Sequence, residues 1–313
     1  MIDRLLYLAV LAVIKFLQAL PLRWVARIGR GGGTIAYVID ARHRKVAQRN
    51  LAMCLGNEKS PEEIRALARE NFRRLGENYC CAIKTAAMTW EELQPHVDFT
   101  GVAKAMHGGV GQNPASMVVA IGHFGNFEIY ARFAQYMPVI RCATTYRGLR
   151  QPSLSRLMQS LREISGCAFF ERRTEAAALR AWMKPHGCLL GLLADQHAGV
   201  GGVRVPFFGH ECSATASPAV FALRYDCALH TGICYRLGLA QWRIELGDEI
   251  PTREGGKARE IVAITRDVNA ALELAVRRDP ANWFWVHNRW KPDKPKQLPA
   301  ASRAQKKQAT AAR

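Results

Sequence analysis

The chain has 313 residues, 49% apolar and 22% charged, enough for a well-buried core of one large domain or two modest ones and too apolar for a disordered chain. Its 44 Lys+Arg stand against 26 Asp+Glu, a net +18; residues 1–50 carry nine basic and two acidic side chains and residues 294–313 six and none, so +13 sits at the two ends and only +5 on the 243 residues between. Charge gathered beside an apolar N-terminus favours an anionic membrane surface or an acidic partner and speaks against a groove that tracks nucleic acid. Nine cysteines, odd in number and without a CxxC pair, do not make a disulfide framework; they read as small core residues in a reducing compartment.

Residues 5–22 are almost wholly apolar, and at about 1.5 Å per helical residue they just reach across a bilayer core. Lys15 in the middle of a span would cost about 2.5–3.5 kcal/mol, so a spanning and an interfacial anchor both stay open over 1–22, with a buried core helix as the alternative. Arginines and lysines at 23, 27, 30, 42, 44, 45 and 49 belong on the cytoplasmic side of such an anchor. The glycine run at 29–34 reads as a joint. Ser60-Pro61-Glu62-Glu63 is a capping box with Pro at the first helical position and starts a helix expected to run to about 87; Thr89-Trp90-Glu91-Glu92 starts another. A helical region thus fills 23–95.

From 96 to 292 strands and helices alternate, which predicts a mixed, mainly parallel α/β sheet flanked by helices. The expected strands are 97–101, 117–121, 139–144, 167–170, 188–194, 229–236 and 240–246. The expected helices are 102–107, 127–136, 153–164, 174–184, 215–226 and 259–278, with Gly/Pro-rich loops at 198–211 and 251–257. The basic tail 293–313 is Lys/Ala/Gln-rich and expected to be disordered.

One stretch organises the rest: VVAIGHFGNFE at 118–128. A buried strand ends at Ile121, Gly122 breaks it, and Gly125-Asn126 turns the chain into a helix-like segment. His123 therefore stands at the carboxyl edge of the sheet, where ligands gather in open α/β folds, with Glu128 five residues on. An imidazole there can take a proton from an attacking hydroxyl while a carboxylate holds its tautomer; equally, the pair can be a strand-end histidine and a helix-start charge. Other catalytic frameworks have no footing, since the chain holds no GxSxG elbow, no phosphate-binding GxxxxGK[ST], no HExxH and no metal-ligand spacing among its histidines.

HFGNFE at 123–128 resembles the HX4D/E motif of the lipid A biosynthesis (late) acyltransferase family, within the lysophospholipid acyltransferase-like superfamily. Tyr146-Arg147, Arg162 within SRLMQSLRE, LLADQHAGVGGVRVPFFG at 192–209 and NWFWVHNRWK at 282–291 are similar to further family blocks and follow in the same order. The Asn-Leu near 50 and the apolar N-terminus fit as well. The resemblance implies a glycerolipid-acyltransferase-like fold and transfer of a fatty acyl group from a thioester, usually on acyl carrier protein, to a hydroxyl of a lipid A precursor or similar glycolipid. It places the enzyme at the bacterial inner membrane with its catalytic domain on the cytoplasmic face. His123 is then expected as general base and Glu128 as the carboxylate that orients it. A histidine's ordinary pKa of about 6.5 suits that role. Backbone N–H groups around Gly125 and Asn126 are expected to hold the thioester oxyanion, and Arg147 and Arg162 to grip phosphate or carboxylate. Asp195 and Gln196 sit at the end of a buried strand, on the same edge. Phe207, Phe208, Trp283 and Trp285 read as core or as acyl-chain surface. The acceptor hydroxyl is itself the nucleophile, so no protein Ser or Cys is called for, and no cofactor or metal is expected. Two other functions remain open: the same chemistry on a phospholipid, ornithine lipid or other glycolipid, and a non-catalytic basic protein of the membrane surface.

Overall fold

Four helices come first in the computed structural model, which describes residues 2–102, 115–149 and 151–292: α1 (Ile2–Ala19), α2 (Leu22–Ile39), α3 (Ala41–Leu55) and α4 (Pro61–Thr85). α4 begins as its capping box dictates, the Glu63 N–H donating to Ser60 Oγ and the Ser60 N–H to Glu63 Oε2. The same box at Thr89 and Glu92 starts only one turn, α5 (Trp90–Leu93). The glycine run in α2 is not a joint but helix interior. A Cβ on Gly33 would stand 2.1 Å from the Phe72 carbonyl oxygen, and one on Gly76 of α4 2.1 Å from that of Gly29. The glycines let two helix backbones touch, and that packing outweighs the roughly 1 kcal/mol each costs in a helix.

The sheet holds seven strands: β1 (Val97–Thr100), β2 (Met117–Ile121), β3 (Arg141–Tyr146), β4 (Ala168–Glu171), β5 (Cys188–Leu193), β8 (Ala228–Gly238) and β9 (Gln241–Glu249). Their order is β1-β9-β8-β2-β5-β3-β4, with every pairing parallel except β8 with β9. α6 (Phe133–Tyr136), α7 (Pro152–Ser160), α8 (Ala176–Trp182), α9 (Ser217–Tyr225) and α10 (Ile261–Arg278) provide the connections. The helix expected over 127–136 is mostly a 3-10 segment, Phe127–Arg132, before one turn of α6. The loop expected over 198–211 contains an antiparallel hairpin, β6 (Val203–Phe207) with β7 (His210–Ala214), turned at Phe208-Gly209. A second, two-residue hairpin, β10 (Arg253–Glu254) with β11 (Lys257–Ala258), lies in the 251–257 loop. The helix expected at 102–107 and the tail at 293–313 fall almost entirely outside the described residues.

Among the described residues no helix is long and apolar enough to cross a membrane. α1 is two-sided: Ile14 and Leu17 are buried, while Leu5, Leu8, Val13 and Phe16 point outward. α2 likewise exposes Trp24, Ile35, Val38 and Ile39. The helical layer is locked to the sheet by Glu77, fully buried on α4, which accepts from Arg30 Nη1 (3.2 Å), Arg236 Nε (3.0 Å) and the Ala240 N–H (3.1 Å). A buried carboxylate is tolerable only with such pairing. The nine cysteines are free, and burial pushes the thiols of Cys54, Cys142 and Cys227 up to about 12, so they behave as core filler.

After α10 the chain returns across the core. Asn71 Nδ2 donates to the carbonyls of Ala281 (2.9 Å) and Trp283 (2.5 Å), and Asn50 Nδ2 to those of Trp285 and His287 (both 2.9 Å). The Asn-Leu at 50 is therefore a structural tie. Phe207, Trp283 and Trp285 are buried, Trp283 packing on Trp285 at 4.7 Å between ring centres and on Phe207 at 5.5 Å. They are core, the commoner place for large aromatic side chains.

Candidate active site

His123 lies two residues beyond the end of β2, and Asp195 two residues beyond the end of the neighbouring parallel strand β5, where Ile121 pairs with Leu193. That register sets the two side chains beside each other. Asp195 Oδ1 is 2.8 Å from His123 Nδ1, and Asp195 Oδ2 accepts the backbone N–H of His123 at 2.7 Å and the indole N–H of Trp283 at 2.9 Å. Burial alone would push the Asp195 carboxyl up; the charge and hydrogen bonds of His123, with a weaker pull from Arg289, outweigh it and hold the group at about 2 against an ordinary 3.8. An ionised carboxylate can only accept, so Nδ1 of His123 carries a proton and Nε2 is the accepting nitrogen. Phe127, edge-on at 4.9 Å, and Phe284, stacked at 5.6 Å, flank the imidazole.

The expected contact between Glu128 and His123 is not among the hydrogen bonds of the site. Both oxygens of Glu128 are engaged by Arg162, Oε2 with Nε at 3.0 Å and Oε1 with Nη2 at 2.6 Å, and the guanidinium lies 5.1 Å from the Phe169 ring centre. The 3-10 turn after Asn126 carries Glu128 to Arg162, just beyond the end of α7. The same pairing occupies the fork of Arg162 that was expected to hold substrate phosphate; Arg147 is exposed. The Gly125 N–H is not an open oxyanion donor either, since it donates to the Asn282 carbonyl at 3.2 Å. Gly125 has φ +52°, and a Cβ there would stand 2.5 Å from the Cys234 carbonyl oxygen, so glycine is required for the fold of the turn. Asn126 is buried with its amide on Thr85 Oγ1 (3.3 Å). Gln196 is better placed: its Nε2 lies 3.3 Å from His123 Nε2.

His123, Gly125, Asn126, Phe127, Glu128, Arg147, Arg162, Gln196 and Phe284 line one cleft of about 1060 Å³, which also receives Tyr146, His197, His287 and Lys291, while Asp195 and Trp283 stay behind its wall. A second, apolar hollow of about 100 Å³, lined by Val119, Ile121, Phe133, Leu189 and Leu246 among others, adjoins it. Glu128, Arg162, Phe127 and Tyr146 border both, so the ion pair stands on the rim between the large cleft and the smaller apolar recess. His287 escaped the sequence reading. Its Nε2 accepts the His197 N–H at 3.1 Å, and burial, reinforced by Lys291, pushes its pKa down to about 4, so it is a neutral acceptor. Nothing in NWFWVHNRWK marks it locally, because its neighbours come from 164 and 90 residues away.

A family model described as bacterial lipid A biosynthesis acyltransferase matches residues 1–292 of the chain. The lipid A biosynthesis palmitoleoyltransferase of Escherichia coli (strain K12) is 25% identical over 292 residues, covering 90% of this chain and 89% of that protein. The lipid A biosynthesis acyltransferase of Shigella flexneri is 25% identical over the same shares of the two chains.

Proposed function

The chain belongs to the bacterial lipid A biosynthesis acyltransferase family, and from that premise we propose that it moves a fatty acyl group from an acyl thioester on acyl carrier protein to a hydroxyl of a lipid A precursor or similar glycolipid. The observation that carries the reading is the carboxylate-held imidazole at the wall of an open cleft: Asp195 on Nδ1, and Nε2 beside the Gln196 amide on a side chain that lines the cleft. His123 Nε2 accepts the proton of the acceptor hydroxyl as its oxygen attacks the thioester carbon. The tetrahedral intermediate then expels the thiolate, the C–S bond breaks, and the proton on Nε2 passes to sulfur. General-base help of this kind is worth about 10²–10⁴ in rate. Asp195 stabilises the imidazolium that forms between the two proton transfers. Gln196, beside Nε2, is the donor we assign to the developing oxyanion. The Glu128–Arg162 pair marks where the acyl chain passes from the large cleft to the smaller apolar recess.

Attachment to the inner-membrane surface is interfacial in this reading. The outward apolar side chains of α1 and α2, with Arg23, Arg27 and the basic stretch behind them, form a layer suited to an anionic leaflet facing the cytoplasm.

The test is transfer from acyl carrier protein to a lipid A precursor by the purified protein, beside His123→Ala. The variant is expected below about a hundredth of the wild-type rate, and a higher rate removes His123 as base. Steering by the basic chain predicts that kcat/KM for the carrier-bound donor falls with salt while a short acyl thioester shows a flat profile; two flat profiles would remove the acidic carrier as partner. Mass spectrometry of lipids from cells with and without the gene identifies the acceptor, a phospholipid or ornithine lipid product redirecting the acceptor assignment.

A further inference from the structure

We propose that Trp283 is a positioning residue for acyl transfer: its indole N–H, donated to Asp195, holds that carboxylate in the one orientation that aims the Nε2 lone pair of His123 into the cleft. The proposal rests on the reading of His123 as base and goes beyond it.

The hydrogen bonds around Asp195 divide unequally. Oδ2 receives two N–H donors, Trp283 Nε1 at 2.9 Å and the His123 backbone at 2.7 Å, and Oδ1 receives His123 Nδ1 at 2.8 Å. Without the indole, Oδ2 keeps only a donor that belongs to the residue being oriented, so the carboxylate loses its one anchor outside the His123 loop. Trp283 comes from the far end of the chain, 88 residues beyond Asp195, and touches neither the cleft nor any reacting atom.

The indole is itself held. Its ring is 1% exposed, its backbone bridges that of Phe124, its carbonyl accepts from Asn71, and the rings of Trp285 and Phe207 pack on it. A donor so constrained contributes orientation that a mobile one would not. Trp285, next but one along the chain, shows the contrast: its N–H closes a turn on the Pro280 carbonyl and reaches no charged group. The titratable and charged groups around His123 include Asp195 and His197 from beyond β5, His287, Arg289 and Lys291 from the C-terminal segment, and Glu128, Tyr146, Arg147 and Arg162 along the cleft. Trp283 bears on the first of these directly.

The experiment replaces Trp283 by Phe, and separately by 3-benzothienylalanine, which keeps the indole's shape and lacks the N–H, in the full chain. Rates of acyl transfer are measured from pH 5 to 9 beside wild type and His123→Ala. Stripped of one donor, the Asp195 carboxylate pulls harder on the imidazolium proton, so the acid limb of kcat/KM moves up by about half a pH unit. kcat falls about tenfold, the low end for one hydrogen bond to a charged group, while KM for donor and acceptor stays within about twofold. The benzothienylalanine protein, whose packing is intact, carries the result even where Trp283→Phe fails to fold. A wild-type profile and kcat from that protein, or a loss equal at every pH that follows the unfolded fraction, reduces Trp283 to packing and overturns the proposal. His123→Ala separates the two readings: residual rate above about a hundredth there fails the base assignment, whatever Trp283 does.

Discussion

Asp195→Asn is the substitution on which the assignment of the orienting carboxylate turns. Asparagine keeps the shape of the side chain and puts one oxygen and one NH₂ where Asp195 has two acceptors. Oδ2 of Asp195 faces two N–H donors, from His123 and Trp283, and Oδ1 faces one, His123 Nδ1. The amide therefore settles with its oxygen at the Oδ2 position, since the opposite placement sets an NH₂ against two buried donors at about 1–3 kcal/mol each. Its NH₂ then points at Nδ1, which must become the acceptor, and the proton moves to Nε2, where the base lone pair has to be. A base locked in the wrong tautomer costs about 10³–10⁴ in kcat, or about 4–5.5 kcal/mol of barrier. The assay is single-turnover transfer at saturating donor, with circular dichroism to confirm the fold. Loss of less than about tenfold, or a loss matched by Glu128→Gln with the same change in pH profile, would refute the tautomer argument.

Glu128→Gln and Arg162→Ala should each lower activity without moving the acid limb, and the double variant should be within about twofold of the weaker single, because the two side chains act as one bidentate pair; additive losses would assign them separate roles. Gly76→Ala forces a Cβ against the Gly29 carbonyl and should destabilise by about 1–3 kcal/mol in urea unfolding, whereas Gly31→Ala, with open space around it, should be neutral or stabilising by up to about 1 kcal/mol. His287, at about 4 when folded and 6.5 when free, binds its proton less readily in the native state, so its contribution is whole above pH 6.5 and is lost as the pH falls towards 4. Solvent screening of a half-buried ring brings that loss to about 1–2 kcal/mol, and His287→Gln should flatten the stability profile over that window alone; an unchanged slope would place the acid sensitivity in another group.

Local chemistry made some elements legible. Ser60 through Glu63 announces α4 by caps and a proline that act within one turn, and 117–121 announces β2 by an unbroken β-branched run. Where the reading failed, the deciding partner was remote. The glycines at 29 and 33 look like a joint until Gly76, more than forty residues on, is seen to need their missing side chains. The hairpin at 203–214 hides in a Gly/Pro-rich segment because β6 pairs with β7 alone and joins no larger sheet, so no long apolar run marks it. Trp283 and His287 reach Asp195 and His197 only when Asn71 and Asn50 draw the C-terminal segment across the core.

The exchange of one carboxylate for another at His123 has a geometric cause. Glu128 is close in sequence, but five residues that include a left-handed glycine and a 3-10 turn change direction twice and set the side chain across the cleft rim. Asp195 is 72 residues away, yet β2 and β5 are hydrogen-bonded neighbours running the same way, and Ile121 opposite Leu193 puts 123 opposite 195 as soon as both strands have ended. The Ala194 N–H still reaches the Ile121 carbonyl at 2.8 Å, so the register holds one residue past the strands and the two side chains inherit it. The proposed base and its orienting group, placed at the ends of adjacent parallel strands, are held by the sheet itself, whose backbone ladder is among the stiffest parts of a fold. Spacing along a motif identifies the residues that share a cleft; strand register decides which of them share a proton.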